Sequence, residues 1–135
     1  LLSRAQTISK NAYAPYSGFH VGAAVLLENG EVIQSSNQEN VSFPTGVCAE
    51  RLALGYAGAN YPHNAPVMMA IVAQRAGDEE WAGVSPCGIC RQTINEVENR
   101  YQKPITLLML QPTGIVLRTK GISQLLPLKF DDLKS

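Results

Sequence analysis

Val67-Met68-Met69-Ala70-Ile71-Val72-Ala73 is an unbroken apolar run, and it reads as a β-strand buried on both faces. The segments around it alternate in type. Leu1, Ala5, Ile8 and Ala12 recur at helical spacing, with Pro15 placed to end that helix. His20 to Glu28 is a compact apolar stretch (Val21, Ala23, Val25, Leu26, Leu27), followed by the hairpin signal Asn29-Gly30 and a return strand opened by Val32-Ile33. Asn37 to Gly46 is polar and reads as a loop. From Cys48, residues Ala49, Leu52, Ala53, Tyr56 and Ala57 form a helical stripe that Asn60 to Pro66 interrupts. After the central strand, Gly77 to Gly83 reads as a solvated loop. A further helix starts near Pro86 with Cys90, Ile94, Val97 and Tyr101 on one side, then come strands at Ile105 to Leu110 and Ile115 to Leu117. Helices alternating with strands in this way give an α/β protein with a layered sheet of about five strands. Pro112-Thr113-Gly114 is far too short for the dozen or so residues of a parallel crossover, so the last two strands, if adjacent, are antiparallel. The tail offers Leu125, Leu126 and Phe130 for packing before a charged end.

Composition narrows the partners. A chain of 135 residues with 45% hydrophobic content fits one domain, 1–135, that buries its own core without a staple. Eleven basic residues balance eleven acidic ones, so the chain lacks the basic footprint of a polynucleotide binder. No apolar run approaches the roughly 20 residues of a membrane helix. Leu1-Leu2-Ser3-Arg4 does not read as a secretory signal, and the absence of an initiator Met suggests that leading residues are missing. The cysteines number three, and their pattern suits a reducing cytoplasm and a metal better than a disulfide framework.

Those cysteines fall in Cys48-Ala49-Glu50-Arg51 and Ser85-Pro86-Cys87-Gly88-Ile89-Cys90-Arg91-Gln92, each where a helix begins. Alone, Cys87 and Cys90 fit a redox dithiol, half a structural zinc site or chance, and Cys48 fits a small buried hydrophobe. Together they supply three thiolates, one short of a closed tetrahedral site, which leaves the open position a catalytic zinc keeps for water. Zinc with three thiolates carries a formal charge of about −1, which resists acidifying that water. Two features oppose this. Helix N-termini stabilise thiolate, and Arg51 and Arg91 stand where they could hydrogen-bond sulfur. Glu50, two residues after Cys48, is the candidate proton shuttle, although a carboxylate also suits any helix start.

In these motifs the sequence resembles the small cytidine deaminases of pyrimidine salvage. The likeness extends through Tyr13-Ala14-Pro15-Tyr16-Ser17-Gly18-Phe19, Val21-Gly22-Ala23-Ala24, Asn37-Gln38-Glu39-Asn40 and Leu125-Leu126-Pro127. The resemblance implies a three-layer α/β/α sandwich around a mixed five-stranded sheet, one Zn2+ per subunit, and a homotetramer with shared active sites. It implies that Cys48, Cys87 and Cys90 bind zinc, that Glu50 is catalytic, and that Arg51 supports the ligands. It places Asn37 and Glu39 on the ribose hydroxyls, Phe19 against the pyrimidine ring, Ala49 at the substrate, and Phe130 at an adjacent subunit's site. Gln38 and Val41 are variants within the ribose loop, and Phe43 stands where many relatives carry Tyr.

The implied reaction is hydrolysis of cytidine or deoxycytidine to the uracil nucleoside and ammonia, with a small-molecule partner and neither nucleic acid nor membrane. A deaminase of another aminopyrimidine nucleoside, resembling those for blasticidin, is the nearest rival. Purine-base and polynucleotide deaminases typically run their last two strands in parallel, which the Pro112 to Gly114 turn opposes. His20 and His63 lie outside both clusters, which argues against a histidine ligand. A non-catalytic zinc module would need a fourth protein ligand, and none is evident. A thiol redox protein would carry a disulfide and no metal.

Overall fold

The computed structural model describes residues 1–133; Lys134, in the charged end, lies outside them. Along the chain run α1 (Leu2–Ser9), β1 (Phe19–Leu27), β2 (Val32–Ser36), α2 (Ala49–Asn60), β3 (Pro66–Arg75), α3 (Gly88–Tyr101), β4 (Thr106–Leu110) and β5 (Val116–Thr119). The strands form one five-stranded sheet in the order β2-β1-β3-β4-β5. The apolar run of β3 is therefore its central strand, with Ala70, Ile71, Val72 and Ala73 fully buried. β3 pairs antiparallel with β1 and parallel with β4, α3 supplying the crossover that the parallel pair requires. β4 and β5 pair antiparallel through the Pro112 to Gly114 turn, as the short connection dictates. The Asn29-Gly30 hairpin closes with Gly30 at φ +92° and the Leu27 N–H donating to Glu31 O at 2.9 Å.

Strand alternation divides the core between the two faces. Ala23, Val25 and Leu27 of β1 face one cluster with Ala53, Leu54 and Ala57 of α2 and Ile94 of α3. Ala24 points the other way, joining Ala5 of α1 with Ala70, Val72 and Leu110. The result is an α/β/α sandwich around a mixed sheet, with α1 the one α-helix on its face among the described residues. α1 sits close because Gly22 has no side chain: a Cβ there would lie 2.0 Å from Ala5 O.

Two expectations about element ends change. α1 stops at Ser9, well before Ala12 and Pro15, because Lys10 and Asn11 switch to i→i+3 bonds onto Thr7 O and Ile8 O. The 77–83 loop is less solvated than its charges suggest, since Ala82 is buried and its N–H donates to Ala73 O at 2.8 Å. No described helix is long and apolar enough to cross a membrane.

Candidate active site

Two helix starts meet at one end of the sheet. Cys48 is the N-cap of α2 and Cys87 the N-cap of α3, with Cys90 in the first turn of α3. Both caps are in extended conformation, and their carbonyls accept the first helical bonds, from Leu52 N and Arg91 N. The loop that leads into Cys48 is pinned by bridges of Gln38 with Tyr13 and with Val47. Cys48 Sγ and Cys87 Sγ lie 3.9 Å apart, and all three sulfurs lie within 4.8 Å of one another. Zinc–sulfur bonds of about 2.3 Å in a tetrahedron put sulfurs about 3.8 Å apart, so the cluster fits that ion. A disulfide needs about 2.05 Å, and all three cysteines are free.

The electrostatics point the same way. A hydrogen bond from Cys90 leads the causes that bring Cys48 down to about 6, and the positive charge of Arg51 adds to it. Cys90 is pushed up, first by that same bond and then by burial. Cys48 and Cys90 thus resist ionising together, and a divalent cation held among the sulfurs would relieve that conflict. Glu50, in the first turn of α2, is only 4% exposed. Burial, ahead of every other cause, raises its carboxyl to about 7, the range in which one group both takes and gives protons at neutral pH.

Cys48, Cys87 and Glu50 line a cleft of about 300 Å³, the size of a small heterocycle with a sugar, with Cys90 buried behind them. Phe19, Asn37, Glu39 and Ala49 line it, as does Ser85. Asn37 is fixed from both ends: Oδ1 accepts from Val21 N at 2.8 Å and Nδ2 donates to Phe19 O at 2.9 Å. One proton and one lone pair of its amide remain for a ligand. Glu39 accepts at Oε1 from the N–H groups of Tyr16 and Ser17, and at Oε2 from Ser17 Oγ.

Three residues sit elsewhere. Phe130 is not among the lining residues. Its carbonyl accepts from Gln92 Nε2 at 2.9 Å while the residue remains 61% exposed. Arg51 lines a separate groove between β2 and α2, and acts on Cys48 through its charge. Arg91 does not reach sulfur in the described bonds: its guanidinium donates to Pro86 O, Leu125 O and Ser85 Oγ, bracing the loop that carries Cys87. Ser17 and Ser85 line the cleft without having drawn a role from sequence. Ser17 sits in a turn before Gly18, a signal for local backbone bonding, but its partner Glu39 lies 22 residues away.

Three sulfurs at two helix N-termini, no fourth protein ligand in the cluster among the described residues, and a buried carboxyl in the same cleft define a zinc hydrolase site on an α/β/α scaffold. Residues 1–103 match the family model for the cytidine and deoxycytidylate deaminase zinc-binding region. The chain is 40% identical over 97 residues to a cytidine deaminase of Halalkalibacterium halodurans, covering 72% of this chain and 69% of that one. It is 31% identical over 113 residues to a blasticidin-S deaminase of Bacillus cereus, covering 82% and 76%. The structure matches the crystal structure of a cytidine deaminase from Burkholderia pseudomallei with a TM-score of 0.81 and 32% identity, over 96% of each chain. The chain belongs to the cytidine and deoxycytidylate deaminase family.

Proposed function

We propose that this protein hydrolyses the exocyclic amine of cytidine or deoxycytidine, releasing ammonia and leaving the uracil nucleoside. The observation that carries this reading is the convergence of the Cys48, Cys87 and Cys90 sulfurs at a nucleoside-sized cleft that Cys48, Cys87 and the buried Glu50 line. Cys48, Cys87 and Cys90 would hold a zinc ion, which would supply the Lewis acidity that lowers the pKa of a bound water. Glu50 takes a proton from the attacking water and delivers it to ring N3, then takes the remaining proton from the added C4 hydroxyl as the carbonyl forms and gives it to the departing amine. Phe19 offers a face to the flat pyrimidine, and Ala49 lines the same cleft. Asn37 and Glu39 hold the sugar hydroxyls that cytidine and deoxycytidine share, and rigid polar groups of this kind strongly reject ligands lacking them.

The family description covers nucleoside and nucleotide substrates, and the cleft favours the nucleoside. Its described lining carries Glu39 and Glu50 but no lysine, arginine or histidine to neutralise a phosphate. The chain's formal net charge of +0 gives no support to a polynucleotide substrate. We take residues 1–135 as one deaminase domain that acts in the cytoplasm as a homotetramer, with Phe130 offered to a neighbouring subunit's cleft. The exposure of Phe43 (72%), Phe130 (61%) and Leu128 (91%) supports such an assembly. The similarity to a blasticidin-S deaminase keeps one second reading, an antibiotic aminopyrimidine nucleoside.

Incubation with cytidine tests the proposal. Ammonia and uridine should appear in equal amounts, with cytosine and CMP turned over poorly. Turnover of blasticidin S alone would transfer the assignment to the second reading, and no ammonia from any of these would remove the enzymatic one.

A further inference from the structure

The Glu39 carboxylate is held by a single short turn. Tyr16 N donates to Oε1 at 3.0 Å, Ser17 N to the same oxygen at 3.2 Å, and Ser17 Oγ to Oε2 at 2.5 Å. The same Ser17 hydroxyl accepts from Phe19 N at 3.0 Å. One small side chain therefore joins the carboxylate at the sugar end of the cleft to the start of the strand that carries the aromatic ring. Gly18, at φ +66°, lets the chain turn between them. The backbones are tied as well, since Glu39 N donates to Tyr13 O at 2.8 Å and Tyr13 N to Asn37 O at 3.0 Å. Ser17 itself lines the cleft.

We propose that Ser17 is a positioning residue for sugar recognition, locking the Glu39 carboxylate in the orientation that receives the ribose hydroxyls. This rests on the deaminase reading and on Glu39 as the sugar contact. Without the Ser17 hydroxyl, Oε1 keeps its two backbone donors, but Oε2 loses its only described one and the carboxylate plane is free to turn. A bound sugar then has to order it, and affinity falls. The hydroxyl also leads the causes that hold Glu39 below the usual carboxylate value, favouring the ionised acceptor.

The test compares Ser17→Ala and Ser17→Thr with wild type on cytidine and on dideoxycytidine, which lacks the vicinal hydroxyls, with zinc content and melting midpoint recorded alongside. Ser17→Ala should raise KM for cytidine about tenfold, the scale of one hydrogen bond to a charged group, with kcat falling much less. The preference for cytidine over dideoxycytidine should shrink by a similar factor, and Ser17→Thr, which keeps the hydroxyl, should restore most of it. If Ser17→Ala does not fold, Ser17→Cys, similar in size but a weak donor, should show the same narrowed preference. Equal losses on both substrates, or no change on either, would overturn the proposal. A wild-type enzyme that deaminates both nucleosides equally would overturn the sugar-contact reading and the proposal with it. A protein that deaminates neither would remove the cytidine deaminase reading, so the failures are separable.

Discussion

In the proposed reaction Glu50 moves the protons, and its position follows from a few residues of sequence. It sits two after Cys48, in the first turn of a helix whose N-terminus faces the cleft. Glu50→Gln keeps the shape but cannot accept the proton. It should lower kcat by about 10²–10⁴-fold with zinc content unchanged in metal analysis. Glu39 provides a pH prediction. Its carboxyl is held below the ordinary value of 4.5, first by the Ser17 hydroxyl. For a depressed folded value, the stabilisation is fully present above 4.5 and is lost as pH falls through the lowered one. Melting midpoints followed into the acid range should therefore fall more steeply for wild type than for Glu39→Gln. The grouping of Cys48, Cys87 and Cys90 was legible in sequence because a metal site restricts both residue type and spacing, and Glu50 because it shares a helix start with Cys48. Arg91 was not. Its guanidinium is directed by the carbonyls of Pro86 and of Leu125, the latter 34 residues away, and no local pattern encodes that.

The elements themselves were legible wherever burial imposes a period. β3 shows its two covered faces as an unbroken apolar run, and the Pro112 to Gly114 turn fixes the sense of β4 and β5 by length alone. The end of α1 was not legible, because apolar spacing continues to Ala12 while the backbone tightens at Lys10 and Asn11. The seat of α1 on the sheet was equally hidden, since it depends on what Gly22 lacks. Gly22→Ala would drive a methyl into the Ala5 carbonyl and the Ser9 Cβ. Overpacking of this kind costs about 1–3 kcal/mol or more, so the melting temperature should drop by several degrees. Near the end of α3, Glu98 Oε2 accepts from Ile105 N at 2.8 Å and from Ile122 N at 3.1 Å, tying the start of β4 to the tail. Glu98→Ala strands both donors and should destabilise the fold by about 1–3 kcal/mol in denaturant titration.

For the molecule as a whole, the zinc site joins helices that begin 39 residues apart in sequence. Metal removed by a chelator should therefore cost stability as well as activity, and the melting temperature should recover on adding Zn2+. The two-sided core was readable from the alternation of helices and strands, whereas an assembly surface has no period to read. X-ray absorption at the zinc edge of the loaded protein examines the metal centre directly. It should find three sulfur neighbours at about 2.3 Å and one lighter atom completing the tetrahedron. Four sulfur or four protein ligands, or fewer than three sulfurs, would contradict an open centre shared by Cys48, Cys87 and Cys90.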